Sequence, residues 1–252
     1  MVAEEQITAA AVLIGNELLS GSVKDKNLHY IATSLLNAGI TLREVRVIPD
    51  DCEAIVDAVN TLRASMDYVF TTGGIGPTHD DITAECIAKA FGRDLIQHAE
   101  TAETMRAYFT SKGVEANDER MRMANMPDGA EPVRNEHSVV PGFRMENVYV
   151  LAGVPSVMRS MMDAAIPLLR RGRPIYTSSV RCDLQEGSLA RGLADIQNAH
   201  PGVDIGSYPL SKAFNYDVSL VVRGTDEALV AQVIDAIVVL IGQLNGSVLE
   251  RH

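Results

Sequence analysis

Residues 68–83 read YVFTTGGIGPTHDDIT, and this stretch decides the fold. A short apolar run, 68–71, is followed at once by Gly73-Gly74-Ile75-Gly76. Such a run, bounded by turn residues, reads as a strand buried on both faces. From Asp81 to Phe91 the apolar spacing becomes helical, and Gly92 ends it. Pro77 suits the first position of that helix. Glycines at a strand-to-helix turn let backbone approach a ligand closely and aim N–H groups at an anion. The helix N-terminus adds partial positive charge. The spacing is neither a Walker loop nor G-x-G-x-x-G.

The same grammar repeats outward. Residues 7–14 (ITAAAVLI) form an apolar run ended by Gly15. Leu28, Ile31, Leu35 and Leu36 mark a helix over 27–38, which Gly39 stops. Residues 40–48 alternate and end at Pro49, and Ile55, Val56, Val59 and Leu62 form one helical face over 53–64. The stretch 97–126 is polar and helical; it reads as an insertion packed over one edge of the sheet, with a substrate lid as the alternative. Residues 148–151 (VYVL) are the last clear strand of this unit, and Pro155 opens a helix that Pro167 kinks or ends. Strand and helix alternating through short connections predict an α/β fold, a three-layer, doubly wound, mostly parallel sheet over 1–171. Arg170 to Pro174 reads as a linker. Residues 174–252 read as a small α+β module of order β-α-β-β-α, with strands at 175–182, 203–208 and 218–222.

Composition narrows the function classes. The chain has 252 residues, 46% of them hydrophobic, which is enough to bury a core. Its net charge is −11, shared as −8 over 1–172 and −3 over 173–252, so neither part hides a basic face for nucleic acid. Cys52, Cys86 and Cys182 are odd in number, lie far apart and form no C-x-x-C, which argues against a disulfide framework and for a reducing, cytoplasmic setting. The acidic N-terminus does not read as a signal peptide, and Gln232, Asp235 and Gln243 interrupt the last apolar stretch, so no membrane span is expected.

Four segments fall at the carboxyl ends of predicted parallel strands. They are the loop with Gly73, Gly74, Gly76, Pro77, Thr78, His79, Asp80 and Asp81; Gly15, Asn16 and Glu17 with Asp25 and Asn27; Asp50 after the second strand; and Gly153, Pro155 and Ser156. Ligands bind at that edge, where strand order reverses. An order beginning 2-1-3 brings the Gly15 and Gly73 loops to one crevice bordered by Asp50. Asp80 and Asp81 would repel a bare phosphate, and a divalent cation held by both removes the conflict. His79 is read as a general base or metal ligand. Plainer roles exist: Thr78 with Asp81 fits a helix capping box, and Asn27 could cap the helix that follows it.

The segments 73–83, 14–21 and 151–158 closely resemble the N-terminal domain of the competence/damage-inducible protein A (CinA) family, and more broadly the MoaB/Mog molybdopterin-binding fold. The tail is similar to the small KH-like module that follows this domain in CinA, but lacks a Gly-x-x-Gly loop and is expected to pack or oligomerise instead of binding RNA. The resemblance implies two activities. Mog-like proteins bind molybdopterin and adenylylate it with two aspartates, which map onto Asp50 and Asp81. Their loop has an Arg-Asp pair where Asp80-Asp81 stand here, which weakens that case. In the CinA branch the domain is similar to a pyrophosphohydrolase that splits ADP-ribose with a divalent cation (magnesium, manganese or cobalt) and potassium. A related domain in eukaryotic FAD synthase is linked to FAD hydrolysis. The resemblance thus implies a cytoplasmic homo-oligomer taking a small phosphorylated ligand. Asp80, Asp81 and His79 would be catalytic, the remaining loop residues would bind the ligand, and molybdopterin is the alternative. The C-terminal amidase domain of full CinA proteins is expected to be absent.

Overall fold

The first strand shows how one sequence serves two cores. In β1 (Thr8–Ile14), Ala9 and Ala11 join the core on one face of the sheet, while Ala10, Val12 and Ile14 join the core on the other. This is the period of two expressed in a strand covered on both sides. The computed structural model describes residues 6–212 and 215–252. It divides into two compact units, 1–172 and 173–252.

In the first unit, a single short turn α1 (Asn16–Leu19) and α2 (Leu28–Asn37) lead to β2 (Thr41–Ile48). Helix α3 (Cys52–Arg63) leads to β3 (Tyr68–Thr72), which is followed by α4 (Thr83–Phe91). Then come β4 (Leu95–Gln97), α5 (Ala99–Ser111), α6 (Asp118–Met121), a 3-10 turn over Arg122–Ala124 and β5 (Asn125–Pro127). Strands β6 (Glu131–Val133), β7 (Gly142–Met145) and β8 (Val148–Leu151) precede α7 (Pro155–Ala165). The main sheet has the order β2-β1-β3-β8-β7-β6. Its first four strands are parallel and the last two antiparallel.

Strand order reverses at β1, as the order 2-1-3 requires. Helices α2 and α7 supply Ile31, Leu35, Met158 and Met161 to one core. Helices α3 and α4 supply Ile55, Val59, Leu62 and Ile87 to the other. Helix α7 stops at Ala165 and tightens into a 3-10 turn over Ile166–Leu168, where Pro167 has no N–H to give.

The stretch 97–126 is less purely helical than its composition suggests. It holds α5, α6 and the 3-10 turn around a small core of Ala102, Met105, Met121 and Ala124. It also provides β5, which pairs antiparallel with β4. Three-residue strands such as β4, exposed at every position, carry no readable periodicity.

The second unit runs β9 (Tyr176–Cys182), α8 (Glu186–Ala199), β10 (Val203–Lys212), β11 (Asn215–Gly224), α9 (Glu227–Gln243) and β12 (Val248–Arg251). Its sheet has the order β10-β11-β9-β12 and is antiparallel throughout. Val218, Leu220 and Val222 of β11 are buried against Leu189 of α8 and Val233, Ile234 and Ile237 of α9. Strand β12 extends the expected β-α-β-β-α order; all four of its residues are exposed, so no apolar pattern announces it. Among the described residues no helix is long and apolar enough to cross a membrane.

Candidate functional site

The loop after β3 is shaped by two glycines in left-handed backbone, Gly73 (φ 101) and Gly74 (φ 68). A Cβ on Gly73 would sit 2.2 Å from the Ile14 carbonyl oxygen, and one on Gly74 2.1 Å from Thr83 Oγ1. Buried Thr83, the first residue of α4, closes the loop: its Oγ1 donates to the Gly73 carbonyl and its N–H to the Gly74 carbonyl, both at 2.9 Å. The eight residues between form an irregular loop. Pro77 lies in that loop, not at the first helical position. The helix begins only where Thr83 is clasped.

Thr78 and Asp81 make the bonds of a capping box, but they cap a turn and not α4. The Thr78 N–H and Oγ1 donate to Asp81 Oδ2 at 2.8 and 2.6 Å, and the Asp81 N–H donates to the Thr78 carbonyl at 3.2 Å. The N-cap of α4 is Ile82, without a side-chain cap. Thr78 Oγ1 also lies 2.5 Å from Asp80 Oδ1. That hydroxyl, with Asp80's own N–H, holds the Asp80 carboxyl below its ordinary range.

The facing wall comes from the ends of β1, β2 and β8. Asp50 Oδ2 accepts from the Asn16 N–H at 2.8 Å, and the Gly15 N–H donates to the Ile48 carbonyl at 3.1 Å. These bonds pin α1 across the end of β2 and bring Glu17 round beside Asp50. Asn27 does not cap α2 with its side chain. Asp25 takes that role, accepting from the N–H groups of Asn27 and Leu28 at 3.1 and 3.0 Å. Asn27 instead donates Nδ2 to the Gly153 carbonyl at 2.9 Å, and its buried Oδ1 has no partner among the described residues.

Between these walls lies a cleft of about 430 Å³. Glu17, Asp50, Asp80 and Asp81 line it together with Gly73, Gly74, Gly76, Pro77 and Gly153. Apolar lining comes from Ile14, Val157 and Met161, and Met123, Ser138 and Val140 also line it. No lysine, arginine or histidine is among its lining residues. Met123, Ser138 and Val140 were missed by sequence reasoning, because they sit in segments without periodicity or motif.

Several residues expected at the site stand elsewhere. Gly15 and Asn16 support the wall from behind, and Asp25 is committed to its cap. Thr78 is outside the lining, bound to both aspartates. His79 extends into solvent, its side chain 98% exposed, with Nδ1 4.0 Å from Asp80 Oδ1. Pro155 opens α7, and Ser156 lines a separate groove with Tyr30 and Arg159. Among the described residues no group of three or more His, Cys, Asp and Glu could hold a metal by itself.

The glycine-turned crevice at the end of a 2-1-3 parallel sheet has counterparts. Residues 10–171 match the family model described as a probable molybdopterin binding domain. The chain belongs to that family. Residues 174–245, in the second unit, match the model of the FAD synthase middle domain. A protein of Archaeoglobus fulgidus is 35% identical over 199 residues, which are 79% of this chain and 84% of that one. Protein PYRAB15930 of Pyrococcus abyssi is 31% identical over 240 residues, 90% of this chain and 94% of that one, and so spans both units. Among solved structures, the protein CinA, with unknown function, from Thermoplasma acidophilum aligns with a TM-score of 0.58 and 29% identity. The alignment covers 64% of this chain and 97% of that one. The first unit of this family member is thus a CinA-like example of the MoaB/Mog fold.

Proposed function

We propose that the cleft hydrolyses the pyrophosphate bond of ADP-ribose or a related dinucleotide such as FAD, with a divalent cation. One observation carries this reading: four carboxylates and no basic side chain line a cleft walled by the glycine turns at Gly73, Gly74, Gly76 and Gly153. Asp80 and Asp81 fit a small hard cation, which takes one or two carboxylates and leaves its other positions to water and phosphate oxygens. When bound, such a cation polarises a phosphoryl oxygen and makes a water molecule a better nucleophile.

The chain's own residues do the rest. Gly73, Gly74 and Gly76 on one wall and Gly153 on the other lay backbone against the pyrophosphate. Thr78, in contact with both carboxylates, holds Asp80 and Asp81 in place. Glu17 and Asp50 face the ribose, with Asp50 fixed by the Asn16 N–H. His79, outside the lining, has no part in this arrangement.

The test is to incubate the protein with ADP-ribose or FAD, a divalent metal and potassium, and to measure AMP. Release no greater than that of an Asp80→Ala/Asp81→Ala variant refutes the reading. A second reading is binding of molybdopterin or another phosphorylated pterin without turnover. It is favoured by the family description and by Asp50 and Asp81 lining one cleft. Equilibrium binding of a phosphorylated pterin, with none of ADP-ribose, decides for it.

A further inference from the structure

The cleft poses a charge problem. An anion entering it meets four carboxylates, and the loop that faces it carries two of them in sequence. The nearest guanidinium on that loop comes from elsewhere in the chain. Arg122 opens the 3-10 turn between α6 and β5, and its Nη1 reaches the Thr78 carbonyl at 3.4 Å. The next residue, Met123, lines the cleft itself. Arg122 lines a small adjoining hollow that shares Gly74, Gly76, Asp81 and Met123 with the cleft, so it stands beside the same glycine loop.

Two features separate this arginine from an ordinary surface cation. It is exposed, and among the described residues it makes no ion pair although Asp80 and Asp81 are on the loop it touches. Its one hydrogen bond there is long, well beyond the usual 2.9–3.0 Å for N–H···O. A guanidinium has five N–H donors in a planar fork that matches two phosphate oxygens. Most of that fork is therefore uncommitted beside the glycine loop.

We propose that Arg122, delivered by the stretch 97–126 beside the cleft and outside its lining, turns its guanidinium from the Thr78 carbonyl to a phosphate held in the cleft, and so supplies the positive charge the acidic loop lacks. This rests on the reading of the cleft's ligand as a phosphate compound. It requires neither ADP-ribose as that compound nor turnover.

The experiment is calorimetric titration with inorganic pyrophosphate, in EDTA at low salt and again with magnesium. Wild type is compared with Arg122→Ala, Arg122→Lys and, as a control for net charge, Arg120→Ala. Losing a charge-assisted hydrogen-bonding fork is expected to weaken pyrophosphate roughly 10- to 100-fold in Arg122→Ala in both buffers. Arg122→Lys recovers part of the affinity as a point charge, and Arg120→Ala binds as wild type does. Thermal unfolding without pyrophosphate should be unchanged in the Arg122 variants, because the side chain is exposed.

The inference is overturned if pyrophosphate binds Arg122→Ala as tightly as wild type, if Arg120→Ala loses as much, or if wild type binds no pyrophosphate. The proposed hydrolysis fails separately. Arg122-dependent pyrophosphate binding without AMP release from ADP-ribose or FAD sinks the hydrolase and leaves the arginine. AMP release with an unchanged KM in Arg122→Ala does the reverse.

Discussion

The side-chain amide of Asn27 donates to the carbonyl of Gly153 at 2.9 Å, tying the start of α2 to the turn between β8 and α7. Asn27 is only 6% exposed, so this bond is made away from water. Asn27→Ala leaves the Gly153 carbonyl without its donor and is expected to cost about 1–2 kcal/mol. Asn27→Asp should cost at least as much, since an ionised carboxylate cannot donate. Urea unfolding of both variants reads this directly. Because Gly153 lines the cleft, ligand affinity should fall as well. A midpoint equal to wild type would show that the bond contributes nothing.

Gly74 tests the loop on the opposite wall. Alanine there meets two obstacles, the left-handed φ of 68 and Thr83 Oγ1, which is 2.1 Å from the added carbon. Gly92, at the end of α4, has a similar φ of 60 but nothing within 4 Å of an added carbon. Gly92→Ala should therefore cost only the backbone term, about 1 kcal/mol. Gly74→Ala should cost more, about 2–4 kcal/mol, because Thr83 must release the Gly73 carbonyl. Equal losses in the two variants would mean that the Thr83 clasp is dispensable.

The parts of this fold that the sequence makes legible share one physical property. A strand covered on both faces must be apolar throughout, so β1, β3 and β8 stand out as runs. The glycines that end them mark the sheet edge where ligands bind. That is why Glu17, Asp50, Asp80, Asp81 and Gly153 could be brought to one crevice without coordinates.

What stayed hidden lacks such a signature. Strands β4 and β12 are exposed at every position, so burial imposes no alternation. Asp25 and Asn27 both precede α2 with a side-chain oxygen in reach of its free N–H groups, and composition cannot say which is used. Thr78 and Asp81 satisfy the capping pattern, but the helix start is fixed by Thr83, which is bound to carbonyls ten and nine residues earlier. Met123 and Val140 reach the cleft only through tertiary packing.

The three thiols should differ sharply in reactivity. Cys86 and Cys182 are fully buried, whereas Cys52 is half-buried at the first position of α3. Burial pushes the Cys86 thiol well above its ordinary range, and the neighbouring Cys52 thiol pushes it further. Burial also raises Cys182. Since the thiolate is the nucleophile, iodoacetamide at pH 8 should modify Cys52 first. Cys86 and Cys182 should follow only when denaturant opens the two cores. Mass spectrometry over time checks this, and equal rates at all three sites would contradict the burial assigned to Cys86 and Cys182.

Thr78 should govern the acid behaviour of the loop. Its hydroxyl is the largest influence holding the Asp80 carboxyl below the ordinary value of 3.8. A carboxyl whose folded pKa lies below its unfolded one contributes stability that is present above the unfolded value and lost as pH falls through the folded one. Thr78→Val removes the donor and keeps the shape, so Asp80 should titrate closer to 3.8. Any stability difference between variant and wild type that comes from Asp80 should be full at neutral pH and should shrink below about pH 4. Because the Asp80 side chain is exposed, that difference is expected to be small, and the carboxyl's own titration, followed by carbon NMR, is the sharper measure. If Asp80 titrates unchanged in Thr78→Val, its ionisation is set by its own backbone N–H. The acid limb of any AMP release should then be the same in both proteins, whereas a raised Asp80 pKa moves that limb to higher pH.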